Sequence, residues 1–233
     1  MNTIDSSIWL ILIAVVSYLV GSFPSAYFVT KGMVGRDIRL EGSHNVGAMN
    51  AFSLIRSIRS TRQAAIGLTT IMLIDMGKGM LAICITRWLG FLGYDPAPAL
   101  IIGSTFIILG HNYPFYFRFK EGGIGFASFL GILLALHPYS LGVWGGTMLL
   151  CIFTADYISA GEFNPKSLSK AISIIGTQIP GRLIGLGIAL IPVYFFDSRL
   201  LLPVLGPTVL VLIKHAGRIK ALIRESRKPR MQK

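Results

Sequence analysis

Seven apolar runs, and the charges placed between them, leave this chain few folds to choose from. The runs are Ile8–Val29, Ala64–Thr86, Ala97–Tyr113, Ile124–Leu136, Tyr139–Ala155, Leu183–Phe196 and Leu200–Ile213. About 20 helical residues cross the hydrocarbon layer of a bilayer. The first two runs reach that length alone, and the third has little to spare. The fourth and fifth are short and are separated only by His137-Pro138, which reads as a tight turn between helices. The last two are marginal, at about 14 residues or about 21 Å of helix. The pattern predicts an all-α, polytopic integral membrane protein of about seven transmembrane helices, with six as the alternative count.

Composition agrees with this. Only 14% of the 233 residues are charged and the mean hydropathy is +0.65, where a soluble domain carries about 25% charged residues. The net charge is still +12. With the N-terminus outside, 19 of the 22 basic residues fall in segments 30–63, 114–123, 156–182 and 214–233. Arg87 and Arg199 lie on the opposite side, and Lys78 lies within the second run. The positive-inside rule then predicts a cytoplasmic C-terminus. The expected organisation is one membrane-embedded domain, 1–233, with a basic cytoplasmic tail, 214–233. A nucleic-acid binder is excluded, because its basic residues would sit on an otherwise polar domain.

Cys84 and Cys151 are isolated within apolar runs, and His44, His111, His137 and His215 form no close pair. Neither a disulfide framework nor a metal site is expected. Before Ile8 the chain offers Asp5 and no basic residue, the reverse of a signal-peptide n-region, so the first run is expected to remain in the mature protein. Small residues within the runs, such as Gly21-x-x-x-Ser25 and Gly181-x-x-x-Gly185, suit close helix packing in lipid. No internal repeat of the transporter kind is visible.

Four polar clusters fall on the inward side. Asp75 and Lys78 share one face of the second span, either as an ion pair that pins helix packing or as an anion site. Residues 42–50, Gly-Ser-His-Asn-Val-Gly-Ala-Met-Asn, follow Arg36 and Arg39. Their backbone N–H groups and the Ser43, Asn45 and Asn50 side chains suit a phosphate, although such a loop can also be a simple turn. The same inward loop continues over Phe52–Gln63, where Arg56, Arg59 and Arg62 recur among apolar residues, as in an interfacial helix that meets lipid phosphates. Gly110-His111-Asn112-Tyr113-Pro114 leads into Gly122-Gly123-Ile124-Gly125, and Lys214-His215-Ala216-Gly217-Arg218 closes the last run. All four offer donors or cations, so a site built from them would select an anion at the membrane interface.

These motifs, in this order, resemble the bacterial acyl-phosphate-dependent glycerol-3-phosphate acyltransferases of the PlsY type. Gly21-Ser22-Phe23-Pro24-Ser25 is similar to the family's GSxPxg, GSHNVGAMN at 42–50 to GSGNxGATN, and Asp75-Met76-Gly77-Lys78-Gly79 to DxxKG. Residues 110–128 resemble GHxfPvflxFkGGKGVAT, and His215 matches the histidine of HxxN. The likeness covers roughly residues 15–220. Against that pattern, His44 stands for a glycine, Met49 for a threonine, and Ser53 for an arginine, with Arg56 one turn later. Ile124 replaces the lysine of GGKG, Arg218 the asparagine of HxxN, and Glu121 is an extra residue.

The resemblance implies a membrane enzyme that moves a fatty acyl group from acyl phosphate to the 1-hydroxyl of glycerol 3-phosphate. The product is lysophosphatidic acid for phospholipid synthesis. Neither cofactor nor metal is implied, because the donor is already a mixed anhydride. His215 is the implied base or orienting group, with the leaving phosphate as an alternative proton acceptor, and Ser43 joins it as catalytic. Substrate-binding roles are implied for Arg39, Gly42, Asn45, Gly47, Asn50, Lys78, His111, Gly122, Gly123, Ser167 and Arg218. The partners are acyl phosphate, glycerol 3-phosphate and membrane lipids, at a site facing the cytoplasm from the cell (inner) membrane. Two other readings fit some residues. One is a non-catalytic relative that binds lipid or phosphate. The other is a small transporter, which predicts repeat halves and intramembrane charges in several spans.

Overall fold

A computed structural model describes residues 3–91, 95–161 and 168–226, and every regular element among them is helical. Among the described residues, five helical segments are long and apolar enough to cross a membrane: Ser7–Val34, Thr61–Leu89, Pro138–Ala160, Ile179–Phe196 and Ser198–Ala216. The surface is inverted relative to a soluble protein. Phe195 is 81% exposed and Ile158 75%, whereas Asp75 is 3% and Lys78 6% exposed.

The first apolar run is two helices, α1 (Thr3–Ser22) and α2 (Ser25–Val34), broken at Phe23-Pro24. Hydropathy is continuous across the break, but a proline disfavours helical backbone at the residue before it. A break in lipid frees backbone groups that must find new partners. The Phe23 carbonyl finds the Lys78 ammonium at 2.6 Å. Lys78 lies on α4 (Thr61–Phe91), a helix of 31 residues.

Between α2 and α4 lies α3 (Ala48–Ile58), which buries Asn50, Ala51, Leu54 and Ile55 and leaves Arg56 exposed. It starts earlier and ends sooner than the interfacial segment expected from the arginine spacing: Arg59 caps its end and Arg62 belongs to α4. Next come α5 (Pro96–Asn112) and α6 (Phe126–Leu136). The 11 residues of α6 span about 16 Å. His137 ends α6 and caps α7 (Pro138–Ala160), so the His137-Pro138 turn is as tight as its sequence suggests. Arg87 donates to the Leu136 carbonyl there. The sixth run is split between α9 (Ile179–Ile188) and α10 (Leu190–Phe196), preceded by α8 (Leu168–Thr177). Finally α11 (Leu201–Ser226) carries the last run and continues as helix well into the segment read as a basic tail.

Small residues let the backbones meet. A Cβ on Gly79 would collide with the Ser128 carbonyl and one on Gly131 with that of Met76, which locks α4 to α6. Gly21 and Gly110 do the same for α1 and α5. Pro207 within α11 cannot donate to the Pro203 carbonyl four residues back. Ser104 of α5 does so instead at 2.7 Å. Cys151 is half-buried, whereas Cys84 faces outward from α4.

Candidate active site

The polar clusters assemble where the loop before α3, the segment between α5 and α6, and α11 approach one another. Asn50 organises the loop. Its Oδ1 accepts from the Ser43 N–H at 3.0 Å, and its Nδ2 donates to the carbonyls of Glu41 at 3.1 Å and Ile38 at 3.3 Å. Asn50 therefore shapes the Gly42–Ser43 turn with the same atoms that the sequence offered as ligand donors. Gly42 has φ +60 and lies against the Asn50 side chain, so a Cβ there would be both strained and obstructed. His44 adopts φ +55, a region where non-glycine residues are uncommon. This is the position at which the PlsY-type motif has glycine. The His44 ring is fastened by a 2.9 Å contact from Nδ1 to the Arg39 carbonyl. Gly47 caps α3 in extended backbone, close to the Asn45 amide.

A cavity of about 340 Å³ opens beside this loop, lined by Ser43, Asn45, Tyr113, Gly122, Ile124 and Lys214, among others. That volume is in the range of small-molecule sites. Gly122 also lines a second, smaller cleft of about 10 Å³, together with Ser22, Ser25, Val46, His111 and Gly123. This one has room for about one water. Gly122 and Gly123 are where they are because nothing larger fits: a Cβ on either would strike the His111–Asn112 backbone or the His111 ring.

Behind the small cleft sits a buried polar network. The Asp75 carboxylate accepts from Lys78 Nζ at 2.5 Å and from Ser25 Oγ at 2.6 Å. His111 Nδ1 stands 3.9 Å from Asp75 Oδ1 and 3.3 Å from Ser128 Oγ. With its ammonium on Asp75 and on Phe23 O, Lys78 serves the α1–α2 break. Of the two readings left open by its spacing, the ion pair is the one these contacts fit.

Arg39 is likewise engaged. It forms a paired contact with Asp37 (2.6 Å at its shortest), reaches Glu121 at 3.4 Å, and covers the rings of Phe117 and Tyr27. The guanidinium holds the Asp37 carboxyl below the usual carboxylate range, chiefly through these hydrogen bonds.

His215 is buried on α11, its Nδ1 3.0 Å from the Val211 carbonyl. A carbonyl only accepts, so Nδ1 carries the hydrogen and Nε2 is the basic nitrogen of the neutral ring. Its neighbour Lys214 lines the large cavity. Ser167 lies outside the described residues, as does the Arg218 side chain.

Lys214 and Tyr113 belong to two of the polar clusters, but the resemblance implies no site role for either, and the structure brings both to the cavity. Lys214 Nζ donates to the Asn112 carbonyl at 2.7 Å and sits 4.5 Å from the Tyr113 ring centre. Tyr18 OH donates to the Tyr113 carbonyl at 2.6 Å. Two signals point to them in the sequence: Lys214 directly precedes His215, and Tyr113 follows Gly110-His111-Asn112.

The sequence model of the family described as glycerol-3-phosphate acyltransferase matches residues 11–225. Similar curated proteins include a glycerol-3-phosphate acyltransferase of Anaplasma phagocytophilum, 32% identical over 91% of this chain and 94% of that one. One of Salinibacter ruber is 31% identical over 92% of this chain and 89% of that one. Among solved structures, a crystal structure of PlsY, an integral membrane glycerol 3-phosphate acyltransferase, in its glycerol 3-phosphate form superposes with a TM-score of 0.61. It is 22% identical, covering 93% of this chain and 92% of that one, and so speaks for the fold.

Proposed function

Because the chain belongs to the glycerol-3-phosphate acyltransferase family, we propose that it transfers a fatty acyl group from acyl phosphate to the 1-hydroxyl of glycerol 3-phosphate. The supporting observation is that two stretches resembling family motifs, at 42–50 and 110–128, meet around one cavity, whose wall is completed by Lys214, the residue before the motif histidine. The hydroxyl oxygen bonds to the acyl carbon, the anhydride C–O bond breaks, and inorganic phosphate leaves with the electron pair. The hydroxyl proton passes to His215 Nε2 or to the departing phosphate. Ser43, Asn45 and the loop N–H groups donate to phosphate oxygens and to the charge developing on the carbonyl. Gly122 and Gly123 let the 121–125 segment approach closely enough to close the cavity. Gly42, Gly47 and Asn50 hold the loop in shape, while Arg39 braces Glu121, Lys78 secures the α1–α2 break and His111 lines the small cleft, and Ser167 and Arg218 complete the binding set.

Seven crossings are proposed: α1 with α2, then α4, α5, α6, α7, α9 with α10, and α11. The N-terminus lies outside and the site faces the cytoplasm from the inner membrane. The basic asymmetry supports this orientation. The test is production of labelled lysophosphatidic acid by purified protein given palmitoyl phosphate and labelled glycerol 3-phosphate. His215→Ala is expected to abolish turnover with membrane insertion intact; wild-type rates in that variant would remove His215 from the mechanism.

A further inference from the structure

Near the cavity, Arg39 and Lys78 are already neutralised by carboxylates. Arg39 stands between Asp37 and Glu121, so that trio carries a net negative charge, and its Glu121 lines the cavity. Lys78 is paired with Asp75 and is absent from the cavity wall. Lys214 differs. It lines the wall, and its contacts are a neutral carbonyl and an aromatic face. No described carboxylate forms an ion pair with it. Among the described residues its ammonium therefore meets no carboxylate directly, on a wall where Ser43 and Asn45 supply neutral donors and Glu121 reaches toward Arg39.

The opposite requirement is visible at Ile124, on the same wall. The PlsY-type pattern has a lysine there, and here the side chain is aliphatic. Lys214, from another helix, supplies this wall with a cation where Ile124 supplies none.

We propose that Lys214 is the cation that binds a substrate phosphate in this cavity, in the place left by Ile124. The ligand is the terminal phosphate dianion (O–PO3) that glycerol 3-phosphate carries as an ester and acyl phosphate carries as an anhydride. The ammonium has three hydrogens. The Asn112 carbonyl takes one and orients the side chain, and the Tyr113 ring supports it from beside. The bond to Asn112 also ties α11 to the end of α5, so the residue that binds substrate is positioned by the contact that closes the cavity. This rests on the acyl-transfer reading above.

Kinetics of Lys214→Met, Lys214→Arg and the double variant Ile124→Lys/Lys214→Met test it. A charge-assisted contact to phosphate accounts for roughly ten- to hundredfold in affinity. Lys214→Met should raise KM by that factor for one substrate, and that substrate identifies which phosphate occupies the cavity. Lys214→Arg should restore much of the affinity. The double variant should restore it too, because it returns a cation to the wall without the Asn112 contact. A purely structural Lys214 would instead lower stability, spare both KM values, and gain nothing from Ile124→Lys; that result overturns the proposal. A second readout does not need turnover: glycerol 3-phosphate should raise the unfolding midpoint of the wild type more than that of Lys214→Met. If the wild type makes no lysophosphatidic acid but shows this difference, the acyl-transfer reading fails while the phosphate site stands. Equal shifts in both proteins overturn the site.

Discussion

Removing the Lys78 ammonium alone should be far more damaging than removing it together with its partner. Asp75 and Lys78 are 3% and 6% exposed and their charged atoms are 2.5 Å apart. Lys78→Met would leave a buried carboxylate with Ser25 as its remaining close donor, and it would strip the Phe23 carbonyl of its partner at the α1–α2 break. Breaking a buried pair from one side costs about 3–5 kcal/mol. For a chain of this size each kcal/mol moves the midpoint by about 2–4 °C, so the expected drop is about 6–20 °C. Asp75→Asn/Lys78→Met removes both charges and keeps a hydrogen-bonding group opposite Ser25. It should recover more than half of that loss, leaving chiefly the unpartnered Phe23 carbonyl. Thermal unfolding at a fixed scan rate in one detergent, read as a double-mutant cycle, measures the coupling. Two results refute the reasoning: a Lys78→Met midpoint within about 2 °C of wild type, or a double variant no better than the single. Lost turnover with unchanged stability would return Lys78 to the role of an anion ligand.

Three further outcomes are expected. Gly79→Ala should cost about 1–3 kcal/mol because its Cβ meets the Ser128 backbone, whereas Gly77→Ala, two residues away in open space, should be neutral or stabilising; the same unfolding assay compares them. At His44, with φ +55, His44→Gly should be at least as stable as wild type. His44→Ala should lose about 1 kcal/mol, since it keeps the strain and loses the bond to Arg39 O; the reverse order contradicts the strained-loop assignment. Asp37 is held low by Arg39, so its stabilising contribution is complete above its unfolded pKa of about 4 and is lost as pH falls through the lower folded value. Asp37→Asn should therefore flatten the stability profile below about pH 4 and leave its slope at higher pH unchanged, as measured by unfolding midpoints across pH.

The helices were legible because apolar runs in lipid allow little else, and each of the seven runs lies in a helical segment. What hydropathy could not register was the interruption at Phe23-Pro24, since both residues are apolar. The partner that repairs it, Lys78, lies 55 residues away. The Asp75–Lys78 spacing pointed to two roles, and only the position of the Phe23 carbonyl separates them. Asn50 was chosen for its donors, but its atoms close the 38–43 turn, a contact set by loop geometry rather than residue type. Likewise, the sequence shows only that His44 stands where the family pattern has glycine. Its positive φ shows that the glycine of the family pattern suits a backbone requirement, which His44 meets at a cost. Lys214 was hidden among the basic residues that follow Ile213, and only the fold brings it to the wall shared with Ile124.

The central claim is that one site joins the two substrates and releases phosphate. It is tested most directly by following inorganic phosphate and lysophosphatidic acid together in purified wild-type protein, with acyl phosphate present and glycerol 3-phosphate added at a known time. Phosphate release that starts only on that addition and matches lysophosphatidic acid one to one is the expected result. Phosphate released without lysophosphatidic acid, or folded protein that forms neither, would contradict it.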